Sequence, residues 1–219
     1  MVQIKFTQIE VPTGQSVLFH NISWTDFEKI LEELGEHRGT RITYNQGTLE
    51  IMAPLPEHEF DKELLSDFVK IILEELDLER ECFGSTTFKN QSMAQGIEPD
   101  QCFYIKNHLL MRGKTRVDLT VDPPPDLAIE IDLASKTQIS TYAALGVPEL
   151  WIYEKNQLQI YTLQDGKYIQ SVMSPNFPDL PIVEVIPEYI QRSKTEGASA
   201  TLKRFRQWLR KQIHDKNYI

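Results

Sequence analysis

The chain has 219 residues, of which 41% are hydrophobic, and it carries a formal net charge of −9 at pH 7. This length and composition fit one domain with a substantial core, and the negative charge excludes a protein that binds polyanions over its whole surface. Two cysteines without a CxxC spacing exclude a disulfide framework and a zinc knuckle, and no apolar run approaches the roughly 20 residues that cross a membrane.

The first elements predicted are a short strand and a helix. We expect the strand near residues 17–19, within an otherwise irregular arm. Helix signals begin at Ser23 and Thr25, and Thr25 with Glu28 has the spacing of a capping box. Apolar side chains at helical spacing follow, and Gly35 ends the run.

A hairpin and the strongest helix of the sequence come next. Alternating runs over residues 41–44 and 48–52 flank Asn45-Gln46-Gly47, which is typical of a tight turn between two strands. Residues 57–78 then repeat apolar side chains at helical spacing, and His58 falls in the first turn of that helix. The apolar positions are Phe60, Leu64, Phe68, Ile71 and Leu76.

The middle of the chain holds the most informative stretch. We expect strands within residues 81–88 and 93–105 and a short helix at 107–112. Three prolines at 123–125 precede a strict alternation over residues 126–133, so one face of that strand is apolar. The carboxylates on its other face are Asp126, Glu130 and Asp132. A fully buried parallel strand reads as a continuous apolar run, so this second face is expected to line water or a site.

The C-terminal half completes an α/β (α+β) pattern. A helix at 136–145 and a strand at 147–153 form, with the preceding strand, a parallel crossover unit. The remaining segments are a hairpin of residues 157–162 and 167–173, an ambiguous stretch at 183–191 and a helix at 201–213. We predict a mixed central β-sheet flanked by helices, with an N-terminal helix and hairpin and a C-terminal helix, in a single domain over residues 1–219.

The charge is distributed unevenly. Residues 192–216 contain eight basic and two acidic side chains, so an acidic body carries a basic helical appendage over residues 190–219. Such a segment is either the solvated side of an amphipathic helix or a surface that contacts DNA phosphates, and a steep salt dependence of binding would mark the second.

Asp100 and Glu130 each open or occupy a predicted strand that follows a proline. Carboxylates from two neighbouring strands can hold a hard divalent cation, and Mg²⁺ prefers oxygen ligands while keeping several waters. Such an ion activates water and neutralises charge on a phosphodiester.

The motifs resemble a known group at this point. The residues that carry the resemblance are Gly47-Thr-Leu-Glu-Ile-Met-Ala-Pro54 with His58, then Glu98-Pro-Asp100, Pro125-Asp-Leu-Ala-Ile-Glu130 and Tyr142-Ala-Ala-Leu-Gly-Val-Pro-Glu-Leu-Trp151. Together they are similar to the PD-(D/E)XK nuclease pattern as it occurs in the Uma-two family, a bacterial family of restriction-endonuclease type. The resemblance covers roughly residues 40–175, and it depends on the order and spacing of the motifs.

The resemblance implies a restriction-endonuclease-like core and hydrolysis of DNA phosphodiesters that depends on Mg²⁺ or Mn²⁺. Asp100 and Glu130 would be the metal ligands, Asp126 a ligand or a supporting group, and His58 the helix residue near the site. The superfamily places a lysine two residues after the glutamate, where this chain has Asp132.

Family members often carry the lysine later, four residues before the tyrosine, where this chain has Gln138. Lys136 lies nearby and is the candidate to take that role. If it does not reach the site, the protein would be a catalytically lapsed nuclease fold that binds nucleic acid or a protein partner. A third reading, a metal-free hydrolase with paired carboxylates, lacks the aromatic residues of a sugar cleft.

Expectations about partners and place follow from the same features. The amino terminus lacks the basic and apolar regions of a signal peptide, so we expect a cytoplasmic protein without a membrane partner. Because restriction-like folds often pair and symmetric dimers are the commonest oligomers, we expect a homodimer.

Overall fold

The computed structural model describes residues 4–35, 39–133 and 137–216. The helices within these residues are α1 (Trp24–Leu34), α2 (Pro56–Glu75), α3 (His108–Met111), α4 (Ile139–Ala144), α5 (Ile182–Glu196) and α6 (Ala198–Lys216). The strands are β1 (Ser16–Phe19), β2 (Arg41–Asn45), β3 (Thr48–Met52), β4 (Glu81–Cys82), β5 (Phe88–Asn90), β6 (Gln95–Ile97), β7 (Gln101–Tyr104), β8 (Leu127–Ile131), β9 (Glu149–Glu154), β10 (Gln157–Gln164) and β11 (Lys167–Ser171).

The first sheet is antiparallel and has the strand order β1-β3-β2-β6-β5. Its predicted hairpin is confirmed, with Asn45 opposite Thr48. The two turn residues, Gln46 and Gly47, both have positive φ angles of 44° and 90°, which a two-residue hairpin turn requires. The turn therefore fixes the register that sets the facing residues of β2 and β3.

Helix α1 covers this first sheet through Phe27, whose ring stacks on that of Tyr44 with centroids 4.5 Å apart. The helix begins at Trp24, two residues earlier than a Thr25 cap would allow. Ser23 is the N-cap, and its hydroxyl accepts a hydrogen bond from the amide of Asp26 at 3.1 Å. The predicted capping box of Thr25 and Glu28 is therefore wrong, because Thr25 already lies inside the helix.

The second sheet is mixed and has the strand order β11-β10-β9-β8-β7-β4. Strands β8 and β9 are parallel and are joined through α4, which confirms the predicted crossover, and the other neighbours are antiparallel. Strand β8 is internal and covered on both faces. Its apolar residues Ile129 and Ile131 pack in the core formed with α2, α5 and α6, whereas Ala128 packs in a separate core with Tyr142 of α4.

The chain passes from one sheet to the other at Pro99. The sequence predicts a strand within residues 93–105 that opens at Asp100, and β7 confirms it. The structure adds the short strand β6 before Pro99, and β6 pairs with β2 whereas β7 pairs with β8. Proline has no amide hydrogen and cannot donate to a strand ladder, so the ladder ends there. The mixed sheet is therefore accompanied by a second sheet, and Asp100 lies where the chain crosses between them.

Helix α2 carries the main core on one side and polar residues of the site at its start. Leu65, Phe68 and Ile72 are fully buried, as the helical spacing predicts. Phe60 is 41% exposed, so its predicted place on the packing face is wrong. The first turn of α2 instead buries His58, because it packs against the polar crossing at Asp100.

Helices α5 and α6 close the far side of the core. The ambiguous stretch at 183–191 is helical and contains Pro187 within α5. Within the described residues, no helix combines the length and apolarity that a membrane crossing needs.

Candidate functional site

The two sheets and the first turn of α2 converge on a cavity of about 40 Å³. This volume has room for a few water molecules. Its lining is dominated by polar and charged side chains, namely Arg41, Thr43, Glu50, His58, Glu98, Asp100, Glu130, Asp132, Thr137 and Gln138. Three residues predicted from the sequence, Asp100, Glu130 and His58, therefore meet in one place.

Asp100 is buried in the wall of the cavity and is only 3% exposed. Its Oδ2 accepts a hydrogen bond from the amide of Ile131 at 2.8 Å and lies 3.0 Å from His58 Nε2. Its Oδ1 lies 3.5 Å from Arg41 Nε. A strand amide, a helix side chain and a hairpin side chain thus hold this carboxylate in a single orientation.

Glu130 stands beside Asp100 on the neighbouring strand. The two carboxyl groups are hydrogen-bonded to each other, and the Tyr142 hydroxyl of α4 donates a hydrogen bond to Glu130 Oε1. The alternation of β8 explains this placement, because Glu130 shares a face with Ala128 and so faces α4 rather than the main core. Sequence alternation and the strand order together bring the two carboxyl groups into contact.

The two carboxyl groups differ in acidity. Desolvation raises the pKa of Glu130 well above its usual value, and the neighbouring Asp100 charge raises it further. Desolvation also raises the pKa of Asp100, but the hydrogen bond and charge of His58 and the amide of Ile131 outweigh it, so the net pKa is lowered. Asp100 therefore gives up its proton more readily than Glu130 does.

The position of the usual lysine is occupied by Asp132. Its carboxylate accepts hydrogen bonds from the amide of Thr137 at 3.0 Å and from the Thr137 hydroxyl at 2.6 Å. Burial raises the pKa of Asp132, and the Thr137 hydrogen bonds oppose that shift. At the later lysine position, the Gln138 amide oxygen accepts a hydrogen bond from Asn45 Nδ2 at 3.0 Å. Both side chains are thus engaged in fixing the loop around the cavity.

Asp126 lies away from the cavity, although the sequence groups it with Glu130. Asp126 immediately precedes β8 and is four positions from Glu130, a separation of about 13 Å in extended chain. Asp126 Oδ2 accepts hydrogen bonds from the amides of Ile105 at 2.7 Å and Asn107 at 3.1 Å, and its Oδ1 accepts one from Asn107 Nδ2 at 3.0 Å. The carboxylate fixes the loop after β7, so the expectation that it acts at the metal site is not met. Lys136, the other candidate, lies outside the described residues.

Three charged residues that line the cavity, Arg41, Glu50 and Glu98, are not among the site residues predicted from the sequence. Arg41 and Thr43 alternate with buried Ile42 and Tyr44 along β2, and the register places Thr43 opposite Glu50. This alternation was a usable signal that Arg41 faces a polar environment. Glu98 gave no such signal, because it precedes the strand break.

Glu98 serves the framework of the site. Its carboxylate accepts hydrogen bonds from the amide of Ile42 at 3.1 Å and from the Thr87 hydroxyl at 2.6 Å. These bonds tie strand β2 to the segment before β5, so Glu98 fixes the wall that carries Arg41.

The donor set of the cavity suits a hard divalent cation. Within the part of the chain that the structure describes, no group of three or more His, Cys, Asp or Glu side chains is arranged to hold a metal. Mg²⁺, however, is commonly held by one or two carboxylates and completes its octahedron with water. The contacting pair of Asp100 and Glu130, with a water-sized cavity beside it, meets this requirement.

The fold and the cavity define an α/β protein with paired acidic residues at the junction of two sheets. The family model of Uma2, described as "putative restriction endonuclease", matches residues 24–194. The chain therefore belongs to the Uma2 (Uma-two) family, as its motifs indicated, and it is of the nuclease class that this description names.

A search of curated proteins found no match. A solved structure similar to this chain is that of a "putative nuclease belonging to DUF820" from Anabaena variabilis ATCC 29413. The two are 18% identical with a TM-score of 0.49, over 86% of this chain and 99% of that one.

Proposed function

We propose that this protein is an endonuclease that hydrolyses DNA phosphodiester bonds with Mg²⁺ or Mn²⁺ held by Asp100 and Glu130. The observation that carries the proposal is the direct contact of these two carboxyl groups beside a small polar cavity. Membership of a family described as restriction endonucleases supports the nuclease class. The substrate and the metal are the parts that the proposal adds.

Each residue near the pair has a defined part in the proposed reaction. When bound, the metal ion would supply a Lewis acid that activates water and neutralises charge on the phosphodiester. His58 and the amide of Ile131 hold Asp100 in place, at 3.0 Å and 2.8 Å from its Oδ2. Tyr142 orients Glu130 through its hydroxyl hydrogen bond. These contacts preorganise both ligands before substrate arrives.

The test is a cleavage assay on plasmid and single-stranded DNA with Mg²⁺, Mn²⁺ or chelator. We expect cleavage with metal, none with chelator, and none for Glu130→Gln, which keeps the shape of the side chain. Glu188→Gln is the matched control, since Glu188 is exposed and pairs only with Arg192 in the contacts described for it. Cleavage that persists in chelator or in Glu130→Gln would overturn the proposal.

A second function has its own supporting observation. Asp132 and Gln138 stand at the two positions where a lysine is expected, and both are engaged by Thr137 or Asn45. This supports a nuclease fold that has lost cleavage and binds nucleic acid or a protein. Salt-sensitive DNA binding without cleavage under every metal condition would favour this function over the first.

The basic C-terminal segment adds less positive charge to a DNA surface than its composition indicates. Arg206 contacts Glu74 at 2.8 Å and Glu75 at 2.7 Å, and Arg210 contacts Glu75 at 2.7 Å. These pairs tie α6 to α2 and neutralise part of the segment. We therefore place the proposed DNA contact at the cavity. The homodimer remains a prediction, and analytical sedimentation can test it.

A further inference from the structure

Arg41 stands in the wall between the site cavity and a larger cleft. Its side chain lines both the cavity of about 40 Å³ and a neighbouring cleft of about 630 Å³. The cleft is lined in part by hydroxyl side chains, which are common partners of phosphate oxygens in nucleic-acid complexes. These are Thr40, Ser85, Thr86, Thr87 and Thr115. A strand of DNA that reaches Asp100 through this cleft would pass Arg41.

The guanidinium group of Arg41 keeps unused hydrogen-bonding capacity although its side chain is only 17% exposed. Its Nε is buried without a hydrogen-bond partner, at 3.5 Å from Asp100 Oδ1. One terminal nitrogen donates to the Ser85 hydroxyl at 3.1 Å, and the other lies 3.4 Å from Glu59 Oε1. Buried donors normally have partners, so an unpaired guanidinium nitrogen beside the proposed reaction centre indicates a missing acceptor.

Arg41 is also the strong cation of the site. Among the described residues that line the cavity, Arg41 and His58 are the basic ones. The nuclease pattern would carry a lysine where this chain has Asp132 or Gln138, and neither side chain can supply positive charge. A guanidinium is always protonated and matches the geometry of two phosphate oxygens.

We propose that Arg41 binds the non-bridging oxygens of the substrate phosphodiester and supplies the positive charge that the missing lysine would give. This inference rests on the proposed function, because it needs DNA to enter the cavity. If Arg41 only held Asp100 in place and did not contact DNA, its removal would leave the number of phosphate contacts unchanged.

The experiment measures the salt dependence of DNA binding in a background that leaves the DNA uncut. Fluorescence anisotropy of a labelled duplex with the Glu130→Gln protein in Mg²⁺ gives the slope of log K against log salt concentration. Each phosphate contact adds about −0.9 to that slope. We expect Arg41→Gln to lose about one such unit and to bind about tenfold more weakly, as loss of a charged hydrogen bond predicts. Arg41→Lys keeps the charge and is expected to keep the slope.

Arg206→Gln is the matched control, since Arg206 also bridges two carboxylates but lies on α6. The inference is overturned if the slope of Arg41→Gln equals that of the background protein. It is also overturned if Arg41→Gln makes the slope less steep by no more than Arg206→Gln does. If the background protein binds no DNA at any salt concentration, the proposed function fails together with the inference. Salt-dependent binding with an unchanged slope in Arg41→Gln overturns the inference alone.

A second measurement covers the case in which Arg41→Gln does not fold. The side-chain Nε–Hε signal of Arg41, assigned by its absence in Arg41→Lys, is followed by NMR while the duplex is added to the Glu130→Gln protein. We expect this signal to shift, because the unpaired Nε acquires a phosphate acceptor. An unmoved signal at saturating DNA would overturn the inference.

Discussion

Replacing Asp126 separates a structural carboxylate from the two proposed metal ligands. Asp126 is 4% exposed, and its two oxygens accept three hydrogen bonds, two from the amides of Ile105 and Asn107 and one from Asn107 Nδ2. In Asp126→Ala, both main-chain donors lose their acceptor. A buried unsatisfied donor costs about 1–3 kcal/mol.

Asn107 is only half-buried, so water can satisfy its amide at little cost. The expected loss is therefore about 1–3 kcal/mol in the free energy of unfolding, and Asp126→Asn, which retains one acceptor oxygen, should lose less. For a chain of this size a loss of about 3 kcal/mol corresponds to a melting temperature lower by about 6–12 °C. Urea unfolding followed by circular dichroism measures it. A loss below about 1 kcal/mol for Asp126→Ala would refute the structural role.

Three further predictions concern packing, thiol chemistry and pH. A Cβ at Gly96 would lie 2.8 Å from Phe27 Cζ, so Gly96→Ala should destabilise the protein by about 1–3 kcal/mol in urea unfolding, and an unchanged midpoint would contradict this packing. Burial raises the pKa of Cys102 to about 12, so a thiol reagent at pH 8 should modify exposed Cys82 in the native protein and both thiols only in denaturant. Hydrogen bonds from two arginines of α6 lower the pKa of Glu75. Its stabilising contribution is therefore present above about pH 4.5 and is lost as the pH falls through the lowered pKa. In Glu75→Gln, the free energy of unfolding should depend less on pH in that window.

Local patterns in the sequence predict the elements that position Glu130. The turn at Gln46 and Gly47 has a positive φ angle at Gly47, which glycine adopts readily. The segment around β8 has the strand, helix and strand spacing of a parallel crossover. Alternation along β8 correctly separates Ile129 from Glu130. These features depend on residues close together in the chain, which is why the sequence reveals them.

The features that the sequence did not predict depend on distant contacts. The sequence does not predict β6 before Pro99, which pairs with β2 in the first sheet while β7 pairs with β8 in the second. Alternation gives Asp126 and Glu130 the same face. Asp126, however, accepts hydrogen bonds from main-chain amides of the loop after β7, and only the fold reveals that contact. Arg41 reaches Asp100 across 59 positions of sequence, and no local pattern encodes that contact.

The most direct test of the proposed metal site is the anomalous scattering of Mn²⁺ in crystals of the protein. We predict a peak between Asp100 and Glu130, with one carboxylate oxygen of each residue about 2.1 Å from the metal, which is the distance typical of Mg²⁺. Crystals of Glu130→Gln should show no such peak. A peak elsewhere, or none between these carboxylates at saturating Mn²⁺, would contradict the proposed metal site.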